Sequence, residues 1–311
     1  MSFRENKNWL ISNEYEPLVT EFQSSDETTS ISIPEGKEDL IKLFHDLLDS
    51  GMHGICFSMY EKGQQPGDVI AEGQIRRRME ILKPYIKWVR SFSCIEGNEL
   101  IPQIAKEYGI KTLVGAWLGK DEEKNRAEIE ALVKLANEGY VDIAAVGNEV
   151  MYRHDLTEEK LLEYINEVKS RVPKNISVGY VDAYYEFADR PKITEACDVI
   201  LSNCYPFWEK CPYLYSLDYM RRMYQIAQNA GKGKKVIITE TGWPSKGQNL
   251  GDAIPSMDNS LKYFINTQLW SKKYNIDIFY FSSFDESWKV GAEGDVGAYW
   301  GIWDENEKLK W

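Results

Sequence analysis

Eight short runs of apolar, often β-branched residues constrain this chain more than any other feature. They end near Phe57, Phe92, Ala116, Val146, Tyr180, Asn203, Ile238 and Phe281, at intervals of 23 to 43 residues. Intervals of that length hold a helix and two turns, so the pattern predicts parallel strands joined by helical crossovers. The intervening segments carry the helical period. In "AEIEALVKLANEG", Ile129, Leu132, Val133 and Ala136 share one face and Gly139 can close the helix. "TEEKLLEYINEVKSRV" opens on Thr157 as an N-cap. Lys160 leaves its capping box incomplete, so that helix rests on Leu161, Leu162, Ile165 and Val168.

Eight strand–helix units in 311 residues match a single (β/α)8 TIM barrel, here residues 36–311, after a short N-terminal extension, residues 1–35. The extension, with "SSDETTSISIPEG" reading as loop, is expected to pack on the outside of the barrel. An open doubly wound sheet is the alternative. It would want a glycine-rich phosphate turn after the first strand, and "GICFSMYEKG" has none. The "GKGKK" at 231–235 precedes a strand rather than a helix and reads as a turn.

Composition narrows the partners. A net charge of −12 repels phosphate backbones and anionic polymers, which leaves a neutral ligand open and disfavours nucleic acid. The 10 Trp and 19 Tyr either fill the core or line a cleft where flat sugar faces stack, and composition does not separate the two. Five cysteines without CxxC spacing give neither a disulfide framework nor a zinc site, and His45, His53 and His154 form no ligand set, so no metal is expected. No apolar run is long enough to span a bilayer, and "MSFRENKNWL" lacks the apolar core of a leader. The chain as written is expected to be a cytoplasmic monomer, or periplasmic or secreted if a leader has been removed.

Active sites of such barrels lie at the C-terminal ends of the strands. Strand 4, "DIAAVGNEV", ends in Asn148 and Glu149, and strand 7, "KKVIITE", ends in Glu240, 91 residues later. A carboxylate is costly to desolvate, so a core strand running straight into one suggests that the acid is used. Strands three apart face each other across the mouth, and two glutamates in one cleft are what glycosidic bond cleavage requires. Solvated loop acids, or acids paired with a barrel-top arginine, are the competing explanation.

The segments "VGNEV" and "ITETGWPS" resemble the two signature sites of glycoside hydrolase family 17, the β-1,3-glucanase family of retaining (β/α)8 enzymes. The likeness extends to "GICFSMYEKGQQPGD", "VRSFSC", "SNCYPFW", "FSSFDESWK" and "GAYWGIWDENEKLK", and runs from about residue 50 to the C-terminus. The "GQQPG" turn and the last segment resemble bacterial and fungal members more than plant ones. The resemblance implies Glu149 as general acid/base and Glu240 as nucleophile, acting on neutral β-1,3-glucan by double displacement without cofactor or metal. Beside this, Asn148 is expected to bond the sugar 2-hydroxyl, and Tyr205 to donate to Glu240. Asp285, Glu286 and Lys289 follow strand 8. Family members carry such a Glu–Lys pair beside the site, the alternative being a surface ion pair of little worth. Three of Tyr60, Trp117, Trp208, Trp243 and Trp288 are expected to stack on sugar, with Asp182 after strand 5 as a further polar contact. Transglucosylation through the same intermediate is the alternative activity, and a non-catalytic glycan-binding barrel a remote one. The segments 205–220 and 244–258 are long enough to block one end of the cleft.

Overall fold

Each expected run becomes a strand. In the computed structural model, which describes residues 31–311, eight parallel strands close a ring: β1 Met52–Cys56, β2 Ile86–Ser91, β3 Lys111–Ala116, β4 Ile143–Asn148, β5 Ser177–Ala183, β6 Val199–Asn203, β7 Val236–Thr241 and β8 Ile278–Tyr280. Every strand pairs with its neighbours in sequence, and β8 returns to β1 through Gly54↔Phe279 and Ile55↔Tyr280. The strands read as continuous apolar runs because both faces are covered, one by the barrel interior and one by helices. All six residues of β4 and all six of β7 are buried.

The helices follow the expected faces. In Glu122–Asn137 the four residues Ile129, Leu132, Val133 and Ala136 are buried, and Asp121 caps the helix by accepting from the amides of Glu123 and Lys124. The helix Glu158–Arg171 starts after Thr157, whose hydroxyl accepts from Lys160 N at 3.2 Å, so the cap forms without the box. Of its expected face, Leu161, Ile165 and Val168 are fully buried and Leu162 only partly.

Most of the expected N-terminal extension lies outside the described residues. A helix at Lys37–Asp49 packs on helix Met257–Tyr274, with the Phe44 and Phe264 rings 5.0 Å apart. It takes the outer position beside β8, after which the chain forms only short turns at Ser287–Lys289, Val290–Glu293 and Asp295–Tyr299. Helix Ser216–Gly231 takes up the end of the 205–220 segment.

Pairing shifts register at three places: β4 against β5 between Ala145 and Asn148, β6 against β7 between Ser202 and Asn203, and β7 against β8 between Ile238 and Thr241. Irregularities of this kind re-aim side chains. Here they act on the residues that meet at the mouth.

Candidate active site

Glu240 lies near the end of β7, 6% exposed and gripped by three donors. Arg90 Nη1 donates to its Oε1 at 2.6 Å, Asn203 Nδ2 to the same oxygen at 3.0 Å, and Tyr205 Oη to Oε2 at 2.8 Å. The expected Tyr205 contact is therefore present. Arg90, buried within β2, turns its Nη2 to Asn148 Oδ1 at 2.7 Å and stacks 4.2 Å over the Phe92 ring. Asn148 keeps its Nδ2 without a protein partner among the described residues.

Glu149 follows β4 directly, with a left-handed backbone of φ +52°. Gly147 before it, at φ +87°, clears the approach: a Cβ there would meet Val150 Cγ2 at 2.9 Å. The Glu149 carboxylate turns toward Glu240, and one nitrogen serves both acids, because Asn203 Nδ2 also donates to Glu149 Oε1 at 2.9 Å. Thr239 Oγ1 donates to Asn203 Oδ1 at 2.8 Å, which fixes the amide so that its nitrogen faces the acids. Two oxygens within 3.0 Å of a single atom lie less than about 6 Å from each other. Burial first, and then the negative charge of Glu240, push Glu149 up to about 7, against the lowering effect of the Asn203 bond. A carboxyl group there holds a proton near neutrality.

Lys289 and Glu286 form a buried ion pair of 2.7 Å, not a surface one, and Glu286 Oε1 also accepts from Tyr60 N at 3.3 Å. The Lys289 ammonium lies 4.3 Å over the Phe281 ring. A fourth carboxyl group, Glu293, is pushed up to about 7 by burial. Lys289 opposes that rise, while Glu240, Glu149 and Glu286 add to it. Lys289 pairs with Glu286 and feels the charges of Glu293 and Glu240 as well.

Two expectations are corrected, those for Trp243 and Asp182, and Asp285 takes a supporting place. Trp243 is 0% exposed: it packs against Phe207 and Tyr263 and donates from Nε1 to Ile254 O at 2.9 Å, so it supports the wall from behind and offers no face to sugar. Asp285 is buried against Lys310 Nζ and Gly301 N, both at 2.8 Å, and anchors the C-terminal segment. Asp182 lies inside β5 rather than after it and is 0% exposed, beyond the reach of a substrate. Of the remaining rings, Trp117 is 43% exposed with the Arg153 guanidinium 4.6 Å over it, and Trp208 is partly exposed beside Trp300. Trp288 is partly buried edge-on to the buried Tyr60 ring.

Arg90, Asn203 and Glu293 escaped the sequence reading. The first two had a signal, since each is a polar residue inside an apolar run, "IKWVRS" and "VILSN". Glu293 follows the strands by a dozen residues of turns, and nothing in its neighbourhood marks it. Among the described residues no group of three His, Cys, Asp or Glu could hold a metal, and no helix is long and apolar enough to cross a membrane.

Comparison with known proteins agrees with this geometry. The BtgE/BtgC glycoside hydrolase domain matches residues 54–301. A glucan 1,3-beta-glucosidase of Candida albicans is 30% identical over 260 residues, 75% of this chain and 83% of that protein. The glucan 1,3-beta-glucosidase of Saccharomyces cerevisiae is 27% identical over 257 residues, 75% and 82% of the two chains. The crystal structure of a glycoside hydrolase family 17 beta-1,3-glucanosyltransferase from Rhizomucor miehei aligns with a TM-score of 0.76 at 29% identity, over 84% of this chain and 96% of that one. An active-site mutant of the Rhizomucor miehei transferase is known in complex with laminaritriose. The chain belongs to the BtgE/BtgC glycoside hydrolase domain family, of the glycoside hydrolase family 17 type.

Proposed function

We propose that this enzyme cleaves β-1,3-glucosidic bonds in neutral glucan by double displacement with retention, using Glu240 as nucleophile and Glu149 as acid/base. The observation that carries this reading is the shared Asn203 nitrogen. It brings one oxygen of each carboxyl group within about 6 Å of the other, a closeness compatible with the carboxyl separation of about 5–5.5 Å that retaining enzymes use. In the first step a Glu240 oxygen bonds to the anomeric carbon, the glycosidic C–O bond breaks, and the Glu149 proton goes to the leaving oxygen. In the second, Glu149 takes a proton from the incoming hydroxyl, that oxygen bonds to the anomeric carbon, and the Glu240 ester breaks. Asn148 Nδ2 supplies a donor for the sugar 2-hydroxyl, and Trp117, Trp208 and Trp288 border the mouth as sugar contacts, with the buried Tyr60 ring behind Trp288.

The incoming hydroxyl is water in hydrolysis and a sugar in transfer. The likeness to the Rhizomucor miehei transferase supports the second reading alongside the glucosidase relatives. Product analysis on linear β-1,3-oligosaccharides, at low and high concentration, separates them: products longer than the donor establish transfer. Glu240→Gln is expected to reduce turnover by at least about 10⁴-fold on any glucan, since covalent catalysis has no substitute nucleophile there. Near-normal turnover in that variant would sink the mechanism.

A further inference from the structure

Three successive residues of β5 hold the turn that carries Glu149. Val181 O accepts from Glu149 N at 2.8 Å, Tyr180 Oη accepts from Met151 N at 2.8 Å, and Asp182 Oδ2 accepts from Tyr152 N at 3.3 Å. Tyr180 Oη in turn donates to Asp182 Oδ2, while Ala183 N donates to Oδ1 at 2.7 Å. Both side chains are fully buried, and neither meets a sugar. We propose that Tyr180 and Asp182 are positioning residues that fix the direction in which Glu149 presents its proton to the leaving oxygen.

The reason for such a clamp lies in the backbone. Glu149 has φ +52°, a conformation that an L-residue with a side chain keeps only where its surroundings over-determine it. The β4–β5 ladder has lost register by this point, so ordinary strand pairing supplies only the Val181 bond. The amides of Met151 and Tyr152, further along the turn, are held by side chains instead. Asp182 also feels the acid directly: burial first, and then the Glu149 charge, push its carboxyl well above the usual range. Replacing the carboxylate by an amide leaves one NH₂ facing a donor, whichever way it turns, because both oxygens already accept.

The proposal rests on Glu149 as the acid, and the test separates the two. Tyr180→Phe, Asp182→Asn and Glu149→Ala are compared by kcat/KM, which reports the first chemical step. One donor is a β-1,3-gluco-oligosaccharide and the other a dinitrophenyl β-laminaribioside, whose leaving group departs unprotonated. A misdirected acid costs about 10- to 100-fold on the oligosaccharide and less than about 3-fold on the aryl donor, because general-acid help is worth roughly 10² to 10⁴ only where the leaving group needs it. Glu149→Ala is expected to show the same split, larger. If the two clamp variants lose both donors equally, or neither, while Glu149→Ala keeps the split, the clamp is wrong and the acid assignment stands. If Glu149→Ala itself shows no split, both fall. Tyr180→Phe keeps the buried ring and decides the matter should Asp182→Asn fail to fold.

Discussion

Arg90 serves three oxygens from one buried guanidinium, Glu240 Oε1, Asn148 Oδ1 and the Thr239 carbonyl. A planar fork can do this and a lysine cannot. Arg90→Met is therefore expected to lower kcat/KM by at least about 100-fold, and to destabilise by about 3–5 kcal/mol, the cost of leaving one partner of a buried pair uncompensated. Adding Glu240→Gln to it should restore much of the stability and none of the activity. Urea denaturation checks this, and a double variant no more stable than Arg90→Met alone contradicts it. At this scale the sequence showed the two acids and Tyr205, because each stands at the end of an apolar run. It hid which rings face the cleft: Trp243 and Trp117 both follow strand ends, yet Ile254 O and the Phe207 ring draw one inward and leave the other at the surface. The same holds for Asp182, whose polarity looked like a substrate contact and is instead consumed by its own strand and the neighbouring turn.

At the level of the element, strand ends were legible to within one residue wherever the apolar pattern runs to the end, as at Cys56, Ser91, Ala116, Asn203 and Tyr280. Three strands run on past the last residue of their apolar run: β4 to Asn148 and β7 to Thr241, within one residue of where the polar motifs place their ends, and β5 to Ala183. The added residues include Asn148, Asp182 and Glu240, polar positions that the apolar pattern excludes, and these build or support the site. Closure of the ring brings β7 and β8 close enough that side chains matter. A Cβ on Gly242 would lie 2.1 Å from Phe281 O, whereas one on Gly73, in helix Glu72–Leu82, would meet nothing within 4 Å. Gly242→Ala is expected to cost at least about 2 kcal/mol and lower Tm by roughly 5 °C, with Gly73→Ala neutral or slightly stabilising. Equal melting temperatures for the two variants would contradict the close approach of the strands.

For the whole molecule, the acids set the pH response. Glu149, Glu293 and Glu128, the last buried where Ser93 Oγ and Cys94 N donate to it, are all pushed up to about 7, each chiefly by burial. Between about pH 4.5 and 7 the folded chain keeps protons that the unfolded chain has released. The stability they contribute is fully present below that window and is lost as pH rises through it. Asp277 is the opposite case. Although burial tends to raise it, bonds from His53 and Lys235 hold it down to about 2, so its contribution fails only in stronger acid. Tm is expected to be higher at pH 5 than at pH 8 by roughly 5 °C, with Glu128→Gln flattening the slope. A flat or rising profile from pH 5 to 8 would contradict this balance of shifts. The ring itself has a kinetic side. Ser58 N donates to Ser283 Oγ across 225 positions to seal the first strand against the last, and the mouth draws side chains from β2, β4, β6 and β7 between. Such distant closures come late in folding. A chain diluted from denaturant should therefore regain helical ellipticity well before it regains catalytic rate, and a truncated barrel would carry both signature motifs and still be no enzyme.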